Sequence, residues 1–68
     1  MTAVGTWTVA GMTCGHCVAS VTEEISELPG VHDVHVVLES GSVTVQSDEP
    51  LTDDDVRGAV EDAGYQLA

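Results

Sequence analysis

The sequence predicts an α+β fold, a two-layer sandwich in which one four-stranded antiparallel sheet carries two helices on the same face. Three observations lead there. Stretches alternating apolar and polar residues at period two recur at 5–10, 31–40 and 42–47, and two other stretches, 15–28 and 51–63, repeat their apolar residues every three or four positions. Turn and stop signals separate them in the order β-α-β-β-α-β, with a short segment left at the end. The length of 68 residues fits one domain, 1–68, with a marginal core and no room for an enclosed substrate cavity.

The first strand is GTWTVA at 5–10, with Trp7 and Val9 on one side and Thr6 and Thr8 on the other. From Gly15 to Leu28 the residues Val18, Val21, Ile25 and Leu28 step by three, four and three along one helical face, and Glu23, Glu24 and Glu27 decorate the rest. Pro29 cannot continue the helix, and Gly30 accepts the left-handed turn that follows. In VHDVHVVLES, Val34, Val36 and Leu38 share a face against Asp33, His35 and Val37. The turn at Glu39-Ser40-Gly41-Ser42 joins it to SVTVQS, whose Val43 and Val45 point inward, so the pair predicts a hairpin.

The second helix begins with Thr52 as N-cap, Asp55 three residues on, and Leu51 against Val56 as a hydrophobic staple. Asp53, Asp54 and Asp55 suit the positive end of the helix. Val56, Ala59, Val60 and Ala63 form its apolar face, Gly64 stops it, and Tyr65-Gln66-Leu67-Ala68 is long enough for a last short strand. Two split βαβ units in this order, each right-handed, pack most economically in the ferredoxin-like arrangement.

Twelve acids stand against one base, Arg57, for a formal net charge of −11. Nucleic acid and anionic membrane are therefore poor partners, and basic protein surfaces are favoured ones. The opening MTAVGTWTVA has neither Lys or Arg nor a long apolar run, so it reads as no secretory signal and no membrane span. Cytoplasmic placement is the expectation. Met1 at the start and the immediate end after Leu67-Ala68 lead to the expectation of a freestanding protein rather than an excised domain.

Both cysteines lie in GMTCGHC at 11–17, where the first strand runs into the first helix. In a reducing compartment such a pair points to metal binding or redox chemistry before a structural disulfide. Helix positions three apart have Cβ atoms roughly 5–6 Å apart, and with Cys14 still in the loop the sulfurs of Cys14 and Cys17 can converge on one ion. Free N–H groups at the helix start favour thiolate over thiol. Two thiolates without a third strong protein ligand suit a soft, low-coordinate cation, Cu(I) above all, whereas structural zinc wants four ligands.

GMTCGHC resembles the GMTCxxC motif of the heavy-metal-associated domain family, found in bacterial copper chaperones and in the N-terminal domains of copper-transporting P-type ATPases. The similarity runs the length of the chain, through the LPGV turn at Leu28 to Val31, the LESGSVTV hairpin and EDAGY ending at Tyr65. It implies that Cys14 and Cys17 are the Cu(I) ligands and that Met12 packs beneath the loop without ligating. Tyr65 is similar to the bacterial position beside the site, where eukaryotic relatives usually carry lysine. Thr13 stands where the zinc-exporting branch tends to carry an acid, which argues against zinc or cadmium.

The resemblance thus implies a non-enzymatic Cu(I) chaperone that hands its ion by thiolate exchange to the metal-binding domain of a copper-transporting P-type ATPase or to a copper-responsive repressor. Without metal a monomer is expected, while two loaded loops can share copper through four thiolates. His16 stands open between ligand, electrostatic and solvent-facing roles, and His32 and His35 are assigned to the surface. Two competing functions share the motif: thiol–disulfide exchange, whose carriers are usually longer with an aromatic before CxxC, and Hg(II) binding, whose carriers are typically exported.

Overall fold

The computed structural model describes residues 2–68; Met1, one of the grounds for expecting a freestanding protein, lies outside the described residues. The elements are β1 (Ala3–Ala10), α1 (Gly15–Ser26), β2 (Val31–Val37), β3 (Ser42–Ser47), α2 (Asp53–Asp62) and β4 (Gln66–Leu67). All strand pairs are antiparallel and the sheet order is β2-β3-β1-β4, the arrangement expected of the predicted sandwich. No described helix is long and apolar enough to cross a membrane.

The core forms where the two periodicities meet. Val43 and Val45 of β3 and Val9 of β1 are buried against Val21 and Ile25 of α1 and Val56, Ala59 and Val60 of α2. Each such aliphatic side chain contributes about 1.5–3 kcal/mol by leaving water, so a handful of valines carries much of this small domain. Trp7, on the same face, lays its ring across Gly5, where an added Cβ would sit 2.5 Å from the ring, and its indole N–H donates to Asp53 at 2.9 Å.

Several boundaries differ from expectation, each for a local reason. β1 starts two residues earlier than 5–10, because Ala3 and Val4 find partners in Ser47 and Gln46. α1 stops at Ser26 rather than running to Leu28, as the approach to Pro29 disfavours helical geometry. β2 ends at Val37, leaving Leu38 exposed beyond the strand. A register irregularity between Val31 and Asp33 shifts the parity, so Val31 joins Val34 and Val36 in packing against the core.

Two tight approaches position the site. Gly41, at φ +72, brings the hairpin so close to the end of β1 that a Cβ there would lie 2.5 Å from the Val9 carbonyl oxygen, and the Val9 N–H donates to the Gly41 carbonyl at 2.8 Å. At the other side α2 closes with Gly64 at φ +93; the Gly64 N–H bonds the Glu61 carbonyl at 2.9 Å and the Tyr65 N–H the Val60 carbonyl at 3.0 Å. That pair of bonds is a Schellman turn. It delivers Tyr65 directly into the start of β4, beside the end of β1.

Candidate metal site

The loop between Ala10 and Gly15 turns at Gly11, φ +90, and enters α1 through Cys14. Cys14 is the N-cap residue, extended at φ −158 and ψ 171, and its side chain makes no capping hydrogen bond. Its backbone carbonyl accepts from Cys17 at 3.1 Å and from Val18 at 3.3 Å, so the helix is nucleated by main chain alone. The Cys14 sulfur is left free, and it lies 3.6 Å from the Cys17 sulfur.

The two sulfurs differ in setting. Cys14 is exposed and Cys17 is buried. Cys17 continues the buried stripe of α1 with Val21 and Ile25, whereas Val18, assigned to that stripe from sequence, is only half-buried and outside the core cluster. One sulfur anchored in the core and one at the loop surface follow from the four-residue step Cys17–Val21–Ile25.

Charge is prepared at Cys17. Hydrogen bonding from the backbone at Thr13, then from the Tyr65 hydroxyl, and further from Cys14, outweighs burial and lowers the Cys17 thiol from 9.0 to about 6. The Thr13 hydroxyl also lies 3.9 Å from the Cys17 sulfur. Tyr65 answers in kind: its hydrogen bond to Cys17, with burial and the nearby sulfur charge, raises its own phenol above 10.0. At neutral pH these shifts favour the thiolate at Cys17 and keep Tyr65 neutral beside it.

The other site candidates fall around this pair. Met12 is half-buried and packs against the core cluster. His16 is exposed on the first turn of α1, with its backbone carbonyl accepting from the Ser20 hydroxyl at 3.2 Å. His32 lies on the surface with its ring nitrogen hydrogen-bonded to the Asp48 carboxylate, and His35 is exposed on β2. Among the described residues no group of three or more His, Cys, Asp or Glu gathers to hold a metal, so the donor set at the loop is two sulfurs. A shallow cleft lined by Ala10, Gly11, Gly64, Tyr65 and Gln66 opens beside it.

Two sulfurs 3.6 Å apart, bonded to one ion at about 2.3 Å, the length zinc makes to thiolate, would subtend about 100° at the ion, and a linear arrangement needs them about 4.6 Å apart. Cys17 is held in the helix; Cys14, uncapped and exposed, is the sulfur free to make that movement of about 1 Å.

Residues 6–66 match the heavy-metal-associated domain. A curated relative, the copper chaperone CopZ of Bacillus subtilis, is 46% identical over 61 residues, covering 88% of each chain. The chain is also 41% identical over 61 residues to copper-transporting ATPase 1 of Mus musculus, a match covering 88% of this chain and 4% of the ATPase. Among solved structures, a CopZ metallochaperone superposes with a TM-score of 0.89 at 34% identity, over 97% of this chain and 100% of that one.

Proposed function

We propose, from the premise that the chain belongs to the heavy-metal-associated domain family, that it is a cytoplasmic copper chaperone: it carries one Cu(I) between Cys14 and Cys17 and passes it to the metal-binding domain of a copper-transporting P-type ATPase. The observation that carries this reading is the pair of free sulfurs 3.6 Å apart at an uncapped helix start. The similarity to a named copper chaperone over 88% of both chains supports the cargo, and that to a copper-transporting ATPase supports the partner.

Transfer follows from the difference between the sulfurs. Cu(I) arrives as cargo and keeps its single positive charge throughout. A thiolate of the partner adds to the ion to give a three-coordinate intermediate, and one Cu–S bond to the chaperone then breaks. Cys14, exposed, is the ligand that a partner reaches and displaces first. Cys17 leaves last, since it is buried in the stripe of α1 and a partner reaches it only after Cys14 has gone. Each departing sulfur leaves as a thiolate, so the ion is exchanged without oxidation.

Chelator competition under anaerobic conditions tests this. Reduced protein is expected to retain one Cu(I), and the Cys14→Ser, Cys17→Ser double variant none. Retention by the double variant, or no movement of copper to an ATPase metal-binding domain presented in excess, overturns the reading. One observation favours a second function: a buried thiolate beside a free thiol is also the start of disulfide exchange. Catalytic reduction of insulin disulfides would select it.

A further inference from the structure

The sheet has two outer edges, and they are built differently. β2 carries a register irregularity between Val31 and Asp33 and the polar, titratable side chains of His32, Asp33 and His35, devices that keep strands from pairing with strangers. The other edge is shared. β4 pairs only with Val9 and Ala10, and the Ala68 N–H adds one bond to the Thr8 carbonyl at 2.9 Å. Before Thr8, no described residue pairs with that side of β1.

The orientation of the exposed groups follows from alternation. Val9 directs its N–H to the hairpin at Gly41, and Thr8 directs its carbonyl the other way, to Ala68. Along an antiparallel strand these directions alternate residue by residue. Val4 and Thr6 therefore share the direction of Thr8, and their two N–H and two C=O groups face outward. The segment Ala3–Trp7 is uncharged, and Val4 stands 63% exposed. None of the guards seen on β2 protects it.

The surroundings decide the occupant. The Trp7 indole reaches Asp53, which places the acidic first turn of α2, Asp53, Asp54 and Asp55, within a side chain's reach of the strand. The one cation, Arg57, is bonded to Asp54 at 2.7 Å. A second copy would bring a formal charge of −11 against −11, so self-pairing is disfavoured. We infer that the outer edge of β1 at Val4 and Thr6 docks an extended, Lys/Arg-bearing peptide segment of a partner protein, which adds to the sheet in line with β4. This surface is separate from the sulfur pair and needs no metal.

The test uses reduced, ¹⁵N-labelled protein and the blocked peptide acetyl-RTVRVTR-amide. Amide shifts are expected to be largest at Val4 and Thr6, with a matching change in the emission of Trp7, the one tryptophan of the chain. The same peptide N-methylated on the amides facing β1 keeps its charge and is expected to bind at least about tenfold more weakly, because the strand's carbonyls lose their donors. Thr6→Pro removes one outward N–H without touching the ladder to β3 and should also weaken binding. Val4→Pro does the same nearer the strand start and serves if Thr6→Pro fails to fold.

Equal binding of the N-methylated peptide would show attraction by charge alone and overturn the proposal. So would largest shifts on β2 or on the helices, no saturable binding at low salt, or sedimentation showing a dimer that is lost in Val4→Pro. The Cys14→Ser, Cys17→Ser variant is expected to bind the peptide as the parent does, which keeps failure here distinct from failure of the copper reading.

Discussion

The two helices of this chain begin in opposite ways. α2 is capped by Thr52, whose hydroxyl accepts from the Asp55 N–H at 3.1 Å, and its first turn carries Asp53, Asp54 and Asp55. α1 begins at Cys14 with no side-chain cap and no acid in its first turn. One helix spends its positive end on its own stability. The other leaves that end, and its free N–H groups, to a sulfur.

Copper retention is where the contrast is expected to show most. Cys14→Ser gives α1 the kind of cap that α2 has and removes one of the two proposed ligands; we expect Cu(I) affinity to fall at least about a hundredfold, or about 2.7 kcal/mol, in chelator competition. The same substitution is expected to stabilise the metal-free protein, by up to about 1 kcal/mol, because Ser is the better cap. Loss of copper with gain of stability is the signature; loss of both would mean that Cys14 is structural.

Thr52→Ala probes the other terminus. It should cost about 1 kcal/mol, read as a fall in Tm of about 4–8 °C for a domain this small, with Cu(I) binding unchanged. A change in copper affinity of similar size would mean that the two ends are coupled.

A third effect is in pH. The Cys17 thiol lies at about 6 in the folded chain against 9.0 ordinarily, so the unfolded chain holds its proton to higher pH than the folded one does. The contribution to stability is therefore complete above about 9.0, and is lost as pH falls toward about 6. Denaturant unfolding of the reduced, metal-free protein should show stability rising across that window, and Cys17→Ser should flatten the rise.

The smallest change is asked of Tyr65→Phe. Removing the hydroxyl takes away the second of the causes that lower Cys17, while the first, hydrogen bonding from the Thr13 backbone, stays. The midpoint of Cys17 alkylation against pH should move upward yet stay well short of 9.0. An unmoved midpoint would remove Tyr65 from the site.

The contrast between the helix starts was half legible in the sequence. Thr52 and Asp55 announce their cap by identity and spacing, because capping is local chemistry, and the structure has that bond. The order of elements was legible for the same reason: each strand and helix here keeps its own period. The placement of the two cysteines at a strand-to-helix junction was also readable. Their inequality was not, since it depends on Cys17 belonging to the stripe with Val21 and Ile25, a register that Val18 disguises by being apolar as well.

Tertiary pairings were the other blind spot. Nothing near Trp7 in sequence points to Asp53, which is 46 residues away. The irregularity after Val31 exists only against the register of β3. The Schellman turn could be suspected from Gly64, yet only the fold aims Tyr65 at Cys17. The short reach of β4, which leaves Val4 and Thr6 open, is likewise a matter of which strand ends where.

Titration of reduced, ¹⁵N-labelled protein with Cu(I) under strict anaerobic conditions is the most direct trial of the claim that the uncapped start of α1 serves two sulfurs. Amide shifts should be concentrated at Thr13, Cys14, Gly15, Cys17 and Tyr65 and saturate at one ion per chain, with Thr52 to Asp55 unmoved. Binding that fails to saturate at one equivalent, or shifts as large at the acidic start of α2 as at the cysteine loop, would contradict it.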